Sequence, residues 1–237
     1  MNVIKNLEKY CFRVYEYTEN FIETMQEEKR IGWYIEEDTI TQRLNRISHK
    51  DWFNELKKEA VQKKIQASEE EILTWVDTMN YMYWTLIKIK ENIRRDNTFT
   101  DLTIIQELKL PYFNKRPDYI LANRNKLLII EFSYDKQNKQ EYHFENKLNQ
   151  AISYKEILTS LLPTHIQIGT YTCIIKPERK DGITIEKQSK FIDEQTLQTY
   201  DDQANLALFI NEFFEDNRQY DAVEELSLKL YDRKTGK

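Results

Sequence analysis

Glycine, proline and cysteine are scarce in this sequence of 237 residues, which contains four glycines, four prolines and two cysteines. Glycine and proline are the residues that most strongly interrupt regular structure, so their scarcity predicts long helices and few elaborate loops. The cysteines, Cys11 and Cys173, lie in separate apolar runs, which indicates neither a disulfide framework nor a cysteine metal site. Such a chain suits a reducing, intracellular compartment.

Long apolar stretches are also missing. No run approaches the roughly 18 to 20 residues that cross a membrane, and the amino-terminal region carries a charge every few positions. The sequence therefore predicts a soluble protein with neither a membrane span nor a signal peptide. Hydrophobic residues still make up 40% of the chain and aromatic residues 13%, which is enough to form a packed core.

The net charge of −5 excludes a protein that coats nucleic acid with a uniformly basic surface. Any nucleic-acid site must therefore be local. Acidic residues crowd toward the carboxyl end, whereas five basic residues gather in the middle of the chain: Lys109, Lys115, Arg116, Arg124 and Lys126.

Apolar residues recur at helical spacing over the first hundred residues, near 3–25, 38–64 and 68–95. Ser68 and Glu71 form a capping-box pattern at the start of the third helix. The four large aromatic residues of that helix fall at helical spacing, so packing is a better explanation for them than base stacking: Trp75, Tyr81, Tyr83 and Trp84. Residues 1–100 are thus expected to form a helical lobe.

The period changes after residue 100, where short runs rich in Ile, Leu, Tyr and Phe predict strands. Residues 118–122 and 126–134 flank a short turn and predict a β-hairpin. The expected order continues with a helix at 139–162, strands at 165–176 and 182–186, and helices at 202–215 and 221–231. We therefore predict one α+β domain with a single mixed sheet, made of the helical lobe, a core over 101–192 and carboxyl-terminal helices over 193–237.

Two acids stand at corresponding ends of the predicted hairpin. Asp118 follows Pro117 and opens one strand, and Glu131 ends an apolar run in the next. Carboxylates that converge in this way can hold a hard divalent cation. Such an ion can polarise a phosphodiester, activate a water and neutralise the leaving oxygen.

These residues resemble the PD-(D/E)xK nuclease superfamily, in which the Pro-Asp supplies the first acid and a strand acid supplies the second. The lysine of that family normally stands two residues after the second acid, where this chain has Ser133. The following helix offers Lys147 in its place, and Lys136 and Lys155 are alternatives. A lysine there would orient the water or stabilise developing charge.

A narrower resemblance extends over residues 40–190. His49 within a His-Lys-Asp-Trp-Phe stretch, the Pro-Asp at 117–118, the Glu-Phe-Ser at 131–133 and Lys147 on the next helix follow one another in the chain. This ordered set is similar to the cap-snatching endonuclease at the amino terminus of the bunyavirus-type L protein, an RNA-dependent RNA polymerase. The resemblance implies a manganese-dependent endonuclease that cuts single-stranded RNA.

The same resemblance implies a set of ligands. His49, Asp118, Glu131 and the backbone carbonyl of Phe132 would hold one Mn²⁺, and Asp118 with Glu71 would hold a second, while Lys147 would assist the attacking water. An imidazole ligand favours Mn²⁺ over Mg²⁺, although Mg²⁺ stays possible.

The implied partners are capped host messenger RNA and the remainder of a viral polymerase, in the host cytoplasm and the virion. The isolated domain is expected to be monomeric and free of membranes, and the chain could be a fragment of a longer protein.

Two other readings compete with the viral one. Gln150 and Tyr154 stand four residues apart, as in the Gln-x-x-x-Tyr helix of RecB-like nucleases that act on DNA. A catalytically degenerate nuclease fold used for protein interaction would also account for Ser133 and the acidic surface.

Overall fold

The computed structural model describes residues 3–27, 40–92, 101–110, 116–123, 125–134, 140–178, 184–190, 203–214 and 221–235. The elements within these ranges follow in this order: α1 (Val3–Leu7), β1 (Arg13–Tyr15), α2 (Thr18–Glu27), α3 (Ile40–Ile47), α4 (Asp51–Gln62), α5 (Glu69–Asn92), β2 (Thr103–Gln106), β3 (Tyr119–Asn123), β4 (Lys126–Tyr134), α6 (Gln140–Leu161), β5 (Gln167–Glu178), β6 (Thr184–Lys190), α7 (Gln203–Phe214) and α8 (Ala222–Thr235).

The six strands form one sheet, in which they lie side by side in chain order. Each neighbouring pair is antiparallel except β4 and β5, which are parallel. Parallel strands need a crossover connection, and α6 supplies it. The predicted α+β class and the single mixed sheet are confirmed.

Side chains alternate across β3 and β4, so the hairpin builds two cores. Leu121, Leu128 and Ile130 contribute to the core beneath α2, α5 and α7, which we call the α5 face. Ile120 and Ile129 contribute to the core beneath α1, α6 and α8, which we call the α6 face. Helices therefore cover both faces of the sheet, and the hairpin runs between them.

The helical lobe has a smaller core of its own. Phe53 and Leu56 of α4 pack with Trp75 of α5, whose ring centroid lies 4.6 Å from that of Phe12. The packing role predicted for the aromatic residues of α5 is confirmed for Trp75, Tyr81 and Tyr83, which are buried, whereas Trp84 is 48% exposed.

The predicted helix over 3–25 is wrong in its middle, where the chain forms β1 instead. Arg13 pairs with Gln106 and Tyr15 with Ile104. This pairing satisfies backbone groups along β2 that would otherwise form an open sheet edge. A tertiary contact thus overrides a locally helical pattern, and the helical lobe contributes a strand to the sheet.

The predicted helix over 38–64 is divided into α3 and α4. The Ser48 and Lys50 N–H groups donate to the carbonyls of Leu44 and Ile47, which ends α3. Lys50 then has an extended backbone, with φ −77° and ψ 135°, and α4 begins at the next residue. The turn between the two helices contains His49.

Both cysteines lie in the hydrophobic cores of the sheet. Cys11 and Cys173 are both free and buried, and burial raises the pKa of the Cys11 thiol to about 12, which leaves it unreactive at neutral pH. No described helix is both long and apolar enough to cross a membrane.

Candidate active site

The β3–β4 hairpin brings Asp118 and Glu131 together. Asp118 immediately precedes β3, and the pairing of Tyr119 with Ile130 sets it opposite Glu131. The Asp118 N–H donates to Oε1 of Glu131 at 3.0 Å, and the Phe132 N–H donates to Oδ2 of Asp118 at 2.7 Å. Each carboxylate is thereby held by a backbone N–H of the opposite strand, and the predicted convergence of the two acids is confirmed.

Lys147 of α6 completes this group. Its Nζ lies 2.9 Å from Oε2 of Glu131 and 3.5 Å from Oδ2 of Asp118. Lys155 lies about 12 Å farther along the same helix at the usual rise per residue, and Lys136 falls outside the described residues. Lys147 is therefore the lysine that the fold brings to the two acids.

Burial and charge shift the proton affinities of this group. Burial, with the neighbouring charge of Asp118, raises the pKa of Glu131 to about 8. Burial lowers the pKa of Lys147, but the charges of Asp118 and Glu131 outweigh that effect and raise it above its usual range. Lys147 therefore keeps its proton at neutral pH, where it can stabilise negative charge or orient a water but cannot act as a base.

Glu107 is a further acid at this site, and the sequence analysis missed it. It follows β2, is only 3% exposed, and its N–H donates to the carbonyl of Asp118 at 3.1 Å. Burial and the charge of Asp118 raise the pKa of its carboxyl group. The available signal was an acid at the end of an apolar strand, the same signal that identified Glu131.

Glu107 also has a left-handed backbone, with φ 55°. A non-glycine residue held in that region costs about 1 kcal/mol or more, and such residues cluster at functional sites. Arg116 binds the Glu107 carboxylate through Nε at 2.8 Å.

Glu71, which was predicted to help hold a second ion, is engaged by the same arginine. Nη2 of Arg116 donates to Oε1 of Glu71 at 2.6 Å. One hydrogen bond of the predicted capping box is present, in which Oγ of Ser68 accepts from the Glu71 N–H at 3.1 Å. The role of Glu71 as a metal ligand stays a prediction.

His49 lies in the exposed turn between α3 and α4. None of its contacts within the described residues joins it to Asp118 or Glu131, so its role as a metal ligand also stays a prediction.

Gln150 and Tyr154 do lie at the site. Nε2 of Gln150 donates to the Tyr154 hydroxyl at 2.9 Å, and Tyr154 is 2% exposed. Burial and the charge of Glu131 raise the pKa of that hydroxyl, which places the tyrosine beside the acids.

Of the basic residues in the middle of the chain, two serve the fold. Nζ of Lys109 donates to the carbonyls of Lys63 and Lys64, and Nζ of Lys126 donates to the carbonyl of Phe213 at 2.6 Å. Arg116 is the one that the structure places with the acids, while Lys115 and Arg124 fall outside the described residues.

The donors present fit a hard divalent ion. Asp118 and Glu131 offer carboxylate oxygens, which Mg²⁺ and Mn²⁺ prefer. Burial, with the neighbouring charge of Asp118, makes the ionised form of Glu131 costly, and a divalent ion would offset that cost. In the described part of the chain, no three His, Cys, Asp or Glu side chains form a ready metal-binding group. Water or substrate oxygens would complete the shell, together with the Phe132 carbonyl that the resemblance implies.

Comparisons with protein-family models, with curated proteins and with solved structures give no match.

Proposed function

We propose that this protein is a metal-dependent endonuclease of the PD-(D/E)xK type. The observation that carries the proposal is the group formed by Asp118, Glu131 and Lys147, in which two carboxyl groups lie 3.5 and 2.9 Å from one lysine Nζ. Two acids and a lysine in such proximity are the parts that phosphodiester hydrolysis with a divalent ion requires. The lysine comes from α6, which accounts for Ser133 at the usual lysine position.

Each residue has a separate task in this mechanism. A bound divalent ion would polarise the phosphodiester and lower the pKa of a water. Asp118 and Glu131 would hold the ion, and the two backbone N–H groups that fix them keep the ligands in place. Lys147 would orient the attacking water and stabilise the charge that develops on the phosphate.

Single-stranded RNA is the substrate that we propose first, with Mn²⁺ as the ion. The support is the order of the Pro-Asp, the Glu-Phe-Ser and Lys147, which resembles the cap-snatching endonuclease of segmented negative-strand RNA viruses. In that role the chain would be the amino-terminal domain of a viral polymerase and would cut capped host messages. Such a cut needs little base readout, so low sequence specificity is expected.

A DNA nuclease of the RecB-like group is the second candidate. The observation in its favour is the position of Tyr154, which is buried beside Glu131 and receives a hydrogen bond from Gln150. The viral reading assigns no task to this pair.

The test is a cleavage assay on matched unstructured RNA and single-stranded DNA, with Mn²⁺, Mg²⁺ or chelator. Wild type is compared with Asp118→Asn, Glu131→Gln and Lys147→Ala, and with Glu8→Gln as a control at an exposed acid. We expect ion-dependent cutting of RNA that the three site variants lose and the control keeps. Cutting of DNA alone would favour the RecB-like group, and no cutting with no thermal shift by Mn²⁺ would contradict a nuclease and favour a degenerate fold.

A further inference from the structure

Arg116 joins two acids from distant parts of the fold, two residues before Asp118. Its Nε binds Glu107, which follows β2, and its Nη2 binds Glu71 in the first turn of α5. The guanidinium is largely buried, with its side chain 17% exposed. The helical lobe and the sheet are therefore tied together at the entrance to β3.

The backbone links this ion-pair group to the site. Pro117 stands between Arg116 and Asp118, and its ring restricts its φ angle. A displacement of Arg116 is therefore expected to displace Asp118 as well. The Glu107 N–H holds the Asp118 carbonyl at 3.1 Å. Glu107 thus contacts both ends of this short segment, through its carboxylate at Arg116 and through its backbone at Asp118.

The position of Glu107 reduces the stability of the fold in two ways. Glu107 is a buried acid, and its backbone is left-handed. Buried acids are destabilising unless they are paired and hydrogen-bonded, and strained backbone persists only where the surrounding structure enforces it. The charge of Arg116 compensates the charge of Glu107, and Arg116 stands two residues before Asp118.

We propose that Arg116 is a positioning residue for Asp118, and that Glu71 and Glu107 act through it. The inference rests on the proposed nuclease function. It gives Glu71 a task other than binding a second ion, because Oε1 of its carboxylate is bound to Arg116. Partners that orient metal ligands typically change metal affinity or activity by about 10- to 100-fold when they are removed.

The fold contains a matched control. Arg13 of β1 binds Glu59 of α4 through Nε at 2.9 Å and Nη2 at 2.6 Å, with an exposed fraction of 15% that is close to that of Arg116. This pair also joins the helical lobe to the sheet, but Arg13 enters a different strand. Arg13→Ala therefore removes a similar contact from β1, a strand that pairs with β2 and not with the β3–β4 hairpin.

The experiment compares Arg116→Ala, Arg116→Lys and Arg13→Ala in the full chain. We measure the Mn²⁺ concentration for half-maximal thermal shift without nucleic acid, and kcat and KM for RNA cleavage. Arg116→Ala is expected to raise the half-saturating Mn²⁺ concentration and lower kcat, each by about 10- to 100-fold. Arg116→Lys restores only part of this, since an ammonium lacks the planar fork that binds two acids. Arg13→Ala leaves both quantities unchanged, even where its Tm falls.

Glu71→Gln separates positioning from metal binding. The glutamine oxygen still accepts from Arg116, so positioning predicts a change in half-saturating Mn²⁺ of less than about threefold, the size of a typical tolerated substitution. A rise in half-saturating Mn²⁺ as large as that of Arg116→Ala would instead make Glu71 a ligand and overturn its role through Arg116. This variant preserves the Arg116 contacts, which makes it the safer one for folding.

The outcomes separate this inference from the proposed function. Cleavage by wild type with equal behaviour of Arg116→Ala and Arg13→Ala would overturn the positioning role and leave the nuclease intact. Mn²⁺ binding weakened only by Arg116→Ala, in a protein that cuts neither RNA nor DNA, would support positioning and overturn the nuclease. Neither binding nor cleavage in wild type would overturn both.

Discussion

Neighbouring residues of the β3–β4 hairpin point to opposite faces of the sheet and differ completely in chemistry. Asp118 and Glu131 point to the α6 face, where they meet Lys147. Tyr119 and Phe132, the residues that follow them, point to the α5 face, where their ring centroids lie 5.8 Å apart. Tyr81 of α5 packs against Phe132 at 5.2 Å.

This contrast shows how the fold tolerates a pair of neighbouring acids that reduces its stability. The burial of Glu131 beside the partly exposed carboxyl group of Asp118 reduces stability, and both burial and the neighbouring charge raise the pKa of Glu131. The aromatic residues one position later bury large apolar surfaces, which offsets that loss and anchors the backbone from which the acids project. We therefore expect substitutions of Tyr119 and Phe132 to reduce stability and substitutions of Asp118 and Glu131 to reduce activity.

The largest effect is expected on the α5 face, from Phe132→Ala. Phe132 is fully packed between Tyr81 and Tyr119, and truncation of a buried phenylalanine costs about 3–5 kcal/mol. Urea unfolding should show this loss in the free energy of unfolding. Phe132→Leu, which keeps most of the volume, is the milder control, and an unchanged midpoint for the alanine variant would contradict the anchoring role.

Substitutions of the two acids are expected to show the opposite pattern, a loss of activity in a protein that still folds. Asp118→Asn and Glu131→Gln should lower kcat/KM more than about 100-fold, because even the partners of metal ligands contribute about 10- to 100-fold. Both variants should keep a cooperative unfolding transition, which circular dichroism would detect. Unfolded variants would show that these acids support the fold as well, and the separation of the two faces would not hold.

The pH dependence of Mn²⁺ binding should identify Glu131. Its folded pKa of about 8 lies above its ordinary value of 4.5, so between these values the folded state binds more protons than the unfolded state. This group therefore loses stabilising effect in the metal-free protein as pH rises from about 5 to about 8. Mn²⁺ binding displaces the same proton, so affinity should rise by about tenfold per pH unit in that window.

Thermal melts with and without Mn²⁺ across this range would measure both trends. Glu131→Gln should remove the part of each pH dependence that comes from Glu131. Identical pH profiles for the two proteins would show that Glu131 is not the titrating group.

The smallest effect is expected outside the two faces, from His49→Ala. The imidazole is exposed, and no described contact joins it to Asp118 or Glu131. An imidazole that stays in this exposed turn predicts a change in cleavage of less than about threefold, as for most surface substitutions. A loss as large as that of Asp118→Ala, or a shift from Mn²⁺ to Mg²⁺ preference, would place His49 among the ligands and strengthen the viral resemblance.

The prediction from sequence succeeded where structure depends on neighbours in the chain. Strand alternation on either side of a short turn predicted the β3–β4 hairpin and the convergence of Asp118 with Glu131. Helical periodicity predicted α6, the helix that carries Lys147. It failed where a distant strand decided the outcome, as at β1, which pairs with β2 although its own residues carry a helical pattern.

The sequence alone therefore determined the mixed α+β fold, the hairpin and the convergence of Asp118 with Glu131, because a period of two or of 3.6 residues already specifies which side chains share a face. Lys147 was one of three candidate lysines until the docking of α6 placed it against the two acids. Only the tertiary structure decided the left-handed backbone of Glu107 and the pairing of Arg116 with Glu71, 45 residues away. Such contacts depend on how a helix docks on a sheet, and no local periodicity encodes that docking.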